Sequence, residues 1–212
     1  VLGHEIKIAF VENKFLLVFS ALLFVIPMLL SYFFAPYIAS YMNPMVNTFR
    51  DRVQDGQITL ATDSIFLNNF TVAIMLYCGA IVVGLLTATI LISNGMFIGY
   101  FATTINLKLF LILTLPHGIF EIPAIIIAGC GGFVMFKFVA YFLKDISIGK
   151  TNEYGEKEGI YSRLVISFND KVDILVQSLV LLGVGVVLLF IASIIEVYVT
   201  VDLAKFLIPY MT

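Results

Sequence analysis

Residues Phe70 to Leu115 run almost without a polar break. A run of that length is about twice the ~20 residues that cross a bilayer, and no water-soluble core takes it up whole. Three more apolar stretches accompany it: Phe15 to Ala35, a segment from Pro116 to about Leu143, and Val172 to about Val199. Hydrophobic residues make up 61% of the chain and charged residues 12%, against about 25% charged in an average soluble domain. The mean hydropathy is +1.06. The predicted fold is therefore all-α: an integral membrane helical bundle, a single membrane domain over 1–212, with the lipid bilayer as its first partner. The run from Phe15 is followed by no small-residue cleavage site and reads as a retained helix, not a signal peptide. Tyrosine must supply the interfacial aromatic anchors, because the chain has 20 Phe and no Trp.

Turn signals divide the long run. Asn94-Gly95 is the natural break, giving spans over Phe70–Ser93 and Met96–Leu115. A broken or re-entrant helix is the alternative over 94–115, where Asn106 and Lys108 fall. Pro116-His117-Gly118 marks the next turn, with Pro at the start of a new helix. About five spans result. An external loop is expected over 37–69 and a cytoplasmic loop over 144–171. Within the first loop, Met45, Val46, Phe49 and Val53 share a helical face that can lie in the membrane interface, and Gly56 ends it. The second loop holds Lys144, Lys150, Lys157, Arg163 and Lys171. Positive residues favour the cytoplasmic side, so the N-terminus is expected inside, the C-terminus outside and the protein in the cell membrane. The net charge of −2 gives no case for nucleic acid, which needs a clustered basic face. Cys78 and Cys130 lie inside apolar stretches and read as packing residues.

The chemistry concentrates around His117 and Glu121, four residues apart and hence on one helix face. A carboxylate inside an apolar run is costly and needs a partner. His117 is one. Lys108 is a second if the turn near Thr114–Leu115 makes an antiparallel hairpin. A buried structural cluster of His117, Glu121 and Lys108 is preferred to an ion path. Metal ligation comes last, because a His-x-x-x-Glu pair offers two ligands and nothing marks a third. No catalytic residues, metal or cofactor are expected. Glu196 is a second costly carboxylate, placed near the outer interface. Small residues form another constellation. Gly95 and Gly99 have Gly-x-x-x-Gly spacing, and Ala124, Ala128 and Gly132 recur every four residues, with Gly129 and Gly131 beside them. Such faces let helices approach closely, within one chain or in a homo-oligomer, most simply a dimer.

Three elements occur in order: Phe66-Leu67-Asn68-Asn69-Phe70, Ser93-Asn94-Gly95-Met96-Phe97-Ile98-Gly99, and Pro116-His117-Gly118-Ile119-Phe120-Glu121-Ile122-Pro123-Ala124. Together they resemble the signature of the stage II sporulation protein M family, over about Asn68 to Leu143. Its motif positions here are Asn68, Asn69, Asn94, Gly95, Gly99, Pro116, His117, Gly118 and Glu121. The resemblance implies a polytopic membrane protein whose namesake is a scaffold for peptidoglycan-remodelling partners during engulfment. Relatives occur in archaea and in bacteria that do not sporulate, so a sporulation role does not follow. The expectation is a non-catalytic scaffold or assembly subunit with a membrane or extracytoplasmic protein partner. The competing expectation is a transporter or channel-like protein with a polar path at Glu121, His117 and Lys108. Internal repeats or paired broken helices, the usual transporter signs, are missing from the sequence.

Overall fold

The computed structural model describes residues 2–56, 61–79, 84–148 and 159–207. All its regular structure is helical: α1 (Leu2–Glu12), α2 (Lys14–Phe33), α3 (Ala35–Gln54), α4 (Thr62–Cys78), α5 (Leu85–Phe101), α6 (Leu107–Ile148) and α7 (Ile160–Ile195). A π-helical turn (Glu196–Thr200) and α8 (Val201–Leu207) continue α7. Three helical stretches are long and apolar enough to cross a membrane: Lys14–Phe33, Leu107–Ile148 and Ile160–Leu207. Helices α4 and α5 have 17 residues each.

Several expected boundaries move. Asn94-Gly95 is no turn; both residues lie inside α5. Helix α4 ends at Cys78 and α5 starts at Leu85, after Gly84 with a φ of +69° that a side chain would resist; 80–83 lie outside the described residues. A second break separates Phe101 from Leu107. Pro116 and Pro123 sit inside α6, which runs unbroken through them. A membrane helix tolerates such prolines because neighbouring helices and hydroxyl side chains serve the freed backbone groups. Residues 37–69 are not an open loop: α3 fills most of them and α4 starts at Thr62. Of the expected 144–171 loop, α6 takes residues up to Ile148 and α7 takes those from Ile160; 149–158 lie outside the described residues.

The core gathers Phe24, Leu76, Leu91, Ala124, Ala128, Phe133 and Leu189. Close backbone contacts around it fix the helix directions. Gly95 lies against the Phe24 carbonyl and Gly99 against the Met28 carbonyl, so α2 and α5 run parallel. Gly131 meets the Ser178 carbonyl at 3.2 Å and Gly185 the Ala124 carbonyl at 3.0 Å, as measured from an added Cβ. That makes α6 and α7 antiparallel. Gly132 abuts the Leu76 carbonyl of α4. The small face of Ala124, Ala128 and Gly132 is thus consumed inside the chain, which removes the motive it gave for a dimer. The amphipathic expectation for α3 holds in part: Val46 and Phe49 pack inward on α5, while Val53 is exposed. Val46 is buried with Met42 beside Tyr100, and the Phe49 ring lies 5.5 Å from Phe97.

Outward, α2 exposes Phe15, Val18, Leu22, Ile26, Leu29 and Phe33 in a helical stripe. An apolar stripe of this length marks contact with something other than water, and acyl chains fit it. Buried hydroxyls in the bundle satisfy themselves on helix carbonyls: Ser20 on Leu16 at 2.9 Å, Ser178 on Leu175 at 2.7 Å and Ser193 on Phe190 at 2.8 Å. Between helices, Thr87 donates to the Leu76 carbonyl at 2.7 Å and ties the start of α5 to the end of α4.

These contacts predict opposite outcomes for two glycine-to-alanine changes. Gly99→Ala drives a methyl into the α2 backbone, and overpacking of that kind costs about 1–3 kcal/mol. A methyl on Gly183 meets nothing within 4 Å, so Gly183→Ala keeps or gains stability, up to about 1 kcal/mol of helix propensity. Thermal unfolding of both variants in one detergent checks the pair.

Candidate functional site: a histidine and two carboxylates

Helix α6 carries His117 and Glu121 one turn apart, and its antiparallel partner α7 brings the π-helical turn beside them. His117 Nε2 lies 3.6 Å from Glu121 Oε2 and 4.0 Å from Glu196 Oε2. The ligating atoms of all three residues fall within 4.8 Å of one another. On the other side of the ring, Nδ1 lies 3.3 Å from Thr200 Oγ1. Thr200 itself donates to the Ile195 carbonyl at 3.3 Å, five residues back. Such a bond exists because the helix widens to a π turn there, a feature that recurs at functional sites. The Asn69 side chain of α4 lies beside the Glu121 carboxyl. Three helices therefore converge on the cluster. His117 has an 11% exposed side chain, while Glu121 and Glu196 keep 24% and 26%. Among the described residues no lysine or arginine forms an ion pair with either carboxylate.

The structure brings together only part of the sequence-predicted set. His117 and Glu121 meet as expected from their spacing. Lys108 does not join them. It is exposed in the first turn of α6, on the same continuous helix as Glu121, so no hairpin carries the two to a common depth. Glu196 takes the place foreseen for Lys108 and has the opposite charge. Of the motif residues, Asn69 reaches the cluster. Asn68 faces Arg52, whose Nη2 donates to its Oδ1 at 3.4 Å, and Asn94 donates to its own helix at the Ile90 carbonyl, 2.8 Å away. Gly95 and Gly99 serve the α2–α5 contact. Pro116 and Gly118 flank His117 within α6, and an added Cβ on Gly118 would meet only Thr114, at 3.5 Å. The other histidine, His4, is exposed on α1, away from the cluster.

Sequence reasoning missed a second polar centre. Asn13, at the α1–α2 junction, is 3% exposed. Its amide donates to Gln177 Oε1 at 2.7 Å, and Gln177 donates to Glu12 Oε2 at 2.6 Å. The Cys130 thiol points at the Asn13 carbonyl at 3.9 Å. This network pins the N-terminal helices to α7. The polar pair Glu12-Asn13 just ahead of an apolar run was the available signal.

Fold and site define an all-helical bundle with three helices long and apolar enough to cross a membrane and a polar cluster inside it. The pattern of the family described as SpoIIM, stage II sporulation protein M, matches residues 20–201. The chain belongs to the stage II sporulation protein M family. Two relatives are uncharacterized proteins of Methanocaldococcus jannaschii. One is 28% identical over 204 residues, covering 92% of this chain and 86% of the relative. The other is 34% identical over 151 residues, covering 68% of this chain and 74% of the relative. No solved structure matches the chain.

The pairing in the cluster is measurable through double-mutant cycles on thermal stability. Contacting residues couple by about 0.5–3 kcal/mol, and His117→Ala with Glu121→Gln is expected in that range. Lys108→Met is expected to be silent alone and additive with Glu121→Gln. Coupling between Lys108 and Glu121 would restore the hairpin arrangement.

Proposed function

We propose that the protein is a non-catalytic membrane scaffold or assembly subunit of the cell membrane, crossing it five times with the N-terminus inside and the C-terminus outside. Helix directions support the count. Helices α2, α5 and α7 point one way through the bundle and α4 and α6 the other. At 17 residues, α4 and α5 each rise about 25 Å, at the short end of spanning length. The Lys/Arg-rich segment between α6 and α7 then shares a side with Lys7 and Lys14, as the charge rule favours.

The observation that carries the scaffold reading is a helical stalk. The 42 residues of α6 rise about 63 Å, roughly twice the hydrocarbon thickness. Gly84, just ahead of α5, packs on α6 at Phe133. Beyond it, α6 and the first turns of α7 continue as a pair. Lys171 Nζ bridges to Asp145 Oδ2 at 3.4 Å, and the Phe138 and Phe168 rings meet edge-on at 6.2 Å. A pair fastened this way is a defined shape, not a tether. It also exposes Ile148, Ile160, Tyr161 and Leu164. Apolar side chains held out past a bilayer on a rigid element fit a protein partner.

The transport reading keeps one observation in its favour, the cluster of His117, Glu121 and Glu196, and it loses Lys108. Both readings meet in one experiment. A photoreactive residue is placed at Tyr161 and, separately, at lipid-facing Leu22, in the native membrane. The scaffold reading expects discrete protein adducts from position 161, absent from position 22 and lost with Leu164→Ser. Transport instead expects no protein adduct at 161, together with a solute or ion flux in proteoliposomes that Glu121→Gln abolishes. That result would end the scaffold proposal.

A further inference from the structure

We propose that His117, Glu121 and Glu196 form a binding site for a divalent first-row transition metal ion, zinc foremost, which clamps α6 to the end of α7. The proposal goes beyond the scaffold reading and stands whether or not a partner binds the stalk. Its starting point is a count of hydrogens. A threonine hydroxyl has one hydrogen, and Thr200 gives it to the Ile195 carbonyl. With that hydrogen on the Ile195 carbonyl, the Thr200 oxygen facing His117 Nδ1 at 3.3 Å is free to accept, the arrangement that goes with the ring proton on Nδ1. In the neutral imidazole this leaves Nε2 with a bare lone pair. That lone pair faces Glu121 Oε2 at 3.6 Å and Glu196 Oε2 at 4.0 Å. Three acceptor atoms thus converge with no donor between them, and no lysine or arginine among the described residues pairs with either acid. An arrangement of that kind calls for a cation at its centre.

The donor set selects the cation. One imidazole nitrogen and two carboxylate oxygens suit zinc and its first-row neighbours, whereas magnesium and calcium take oxygen shells. Ligand atoms about 2.0 Å from a tetrahedral zinc ion lie about 3.3 Å from one another. The observed 3.6 and 4.0 Å, within a spread of 4.8 Å across the three atoms, contract to that geometry by inward shifts of two flexible carboxylates. Three protein ligands leave one position open. The surroundings are those of a metal histidine: an oxygen lies against the far ring nitrogen, and the Asn69 side chain is beside Glu121.

The test uses the full-length protein without a polyhistidine tag, stripped with a chelator and titrated with Zn²⁺ and with Co²⁺ in detergent. The expected result is one ion per chain, a rise in melting temperature that saturates at that ratio, and a visible Co²⁺ spectrum of low-symmetry nitrogen and oxygen ligation. Glu196→Gln and His117→Ala are expected to abolish all three. Thr200→Val, which removes only the positioning bond, is expected to weaken Zn²⁺ binding about 10–100-fold. His4→Ala is expected to bind like the wild type, and it guards against adventitious sites. Should a ligand variant fail to fold, Thr200→Val and the Co²⁺ spectrum of the wild type still decide. Absence of stoichiometric metal, or equal binding by wild type, Glu196→Gln and Thr200→Val, would overturn the site and leave protons as what holds the carboxylates together.

Discussion

In hydrocarbon, apolar side chains gain nothing by leaving lipid for protein, so helices associate through close van der Waals contact between backbones. The bundle depends on that contact. Gly95 and Gly99 admit the α2 backbone, Gly132 admits α4, and Gly131 and Gly185 seat α6 against α7. These approaches set registers as well as attraction. A one-turn slip between α6 and α7 would drive side chains into carbonyls at Gly131 and Gly185. The register in turn brings the π turn opposite His117, and so the cluster is a consequence of glycines placed well below it.

Composition and periodicity made much of the fold legible. The amphipathic face of α3 was readable because Met45, Val46, Phe49 and Val53 follow helical spacing whatever the solvent. The turn between α4 and α5 was not. Phe70 to Leu115 is apolar almost throughout, and the Asn94-Gly95 pair that would punctuate a water-soluble chain loses that meaning here. Asn94 satisfies its amide on its own helix and Gly95 is a packing surface, so the pair stays helical. Pro116 likewise sits within α6 without breaking it.

The site was half legible for the same reason. Local spacing predicted that His117 and Glu121 share a face. Nothing local could connect them to Glu196, which meets them through the α6–α7 register alone. The Lys108 assignment failed because it relied on a turn at Pro116 that the helix does not make. Replacing a lysine by a second carboxylate changes the electrostatics. A buried ion pair satisfies itself, whereas one histidine between two acids has no lysine or arginine partner among the described residues.

The α6–α7 register is therefore the claim on which site, stalk and topology all rest. It can be read directly by disulfide trapping in membranes, in a chain with Cys78 and Cys130 replaced. A Cβ on Gly185 would lie 3.5 Å from the Ala128 Cβ, within the ~3.5–4.5 Å that a disulfide bridges. Ala128→Cys with Gly185→Cys is expected to close an intrachain disulfide under mild oxidant, while Ala128→Cys with Val187→Cys, on the exposed face of α7, stays reduced. Failure of the 128–185 pair, with closure instead of Ala128→Cys to Leu181→Cys one turn away, would contradict the register and dissolve the cluster with it.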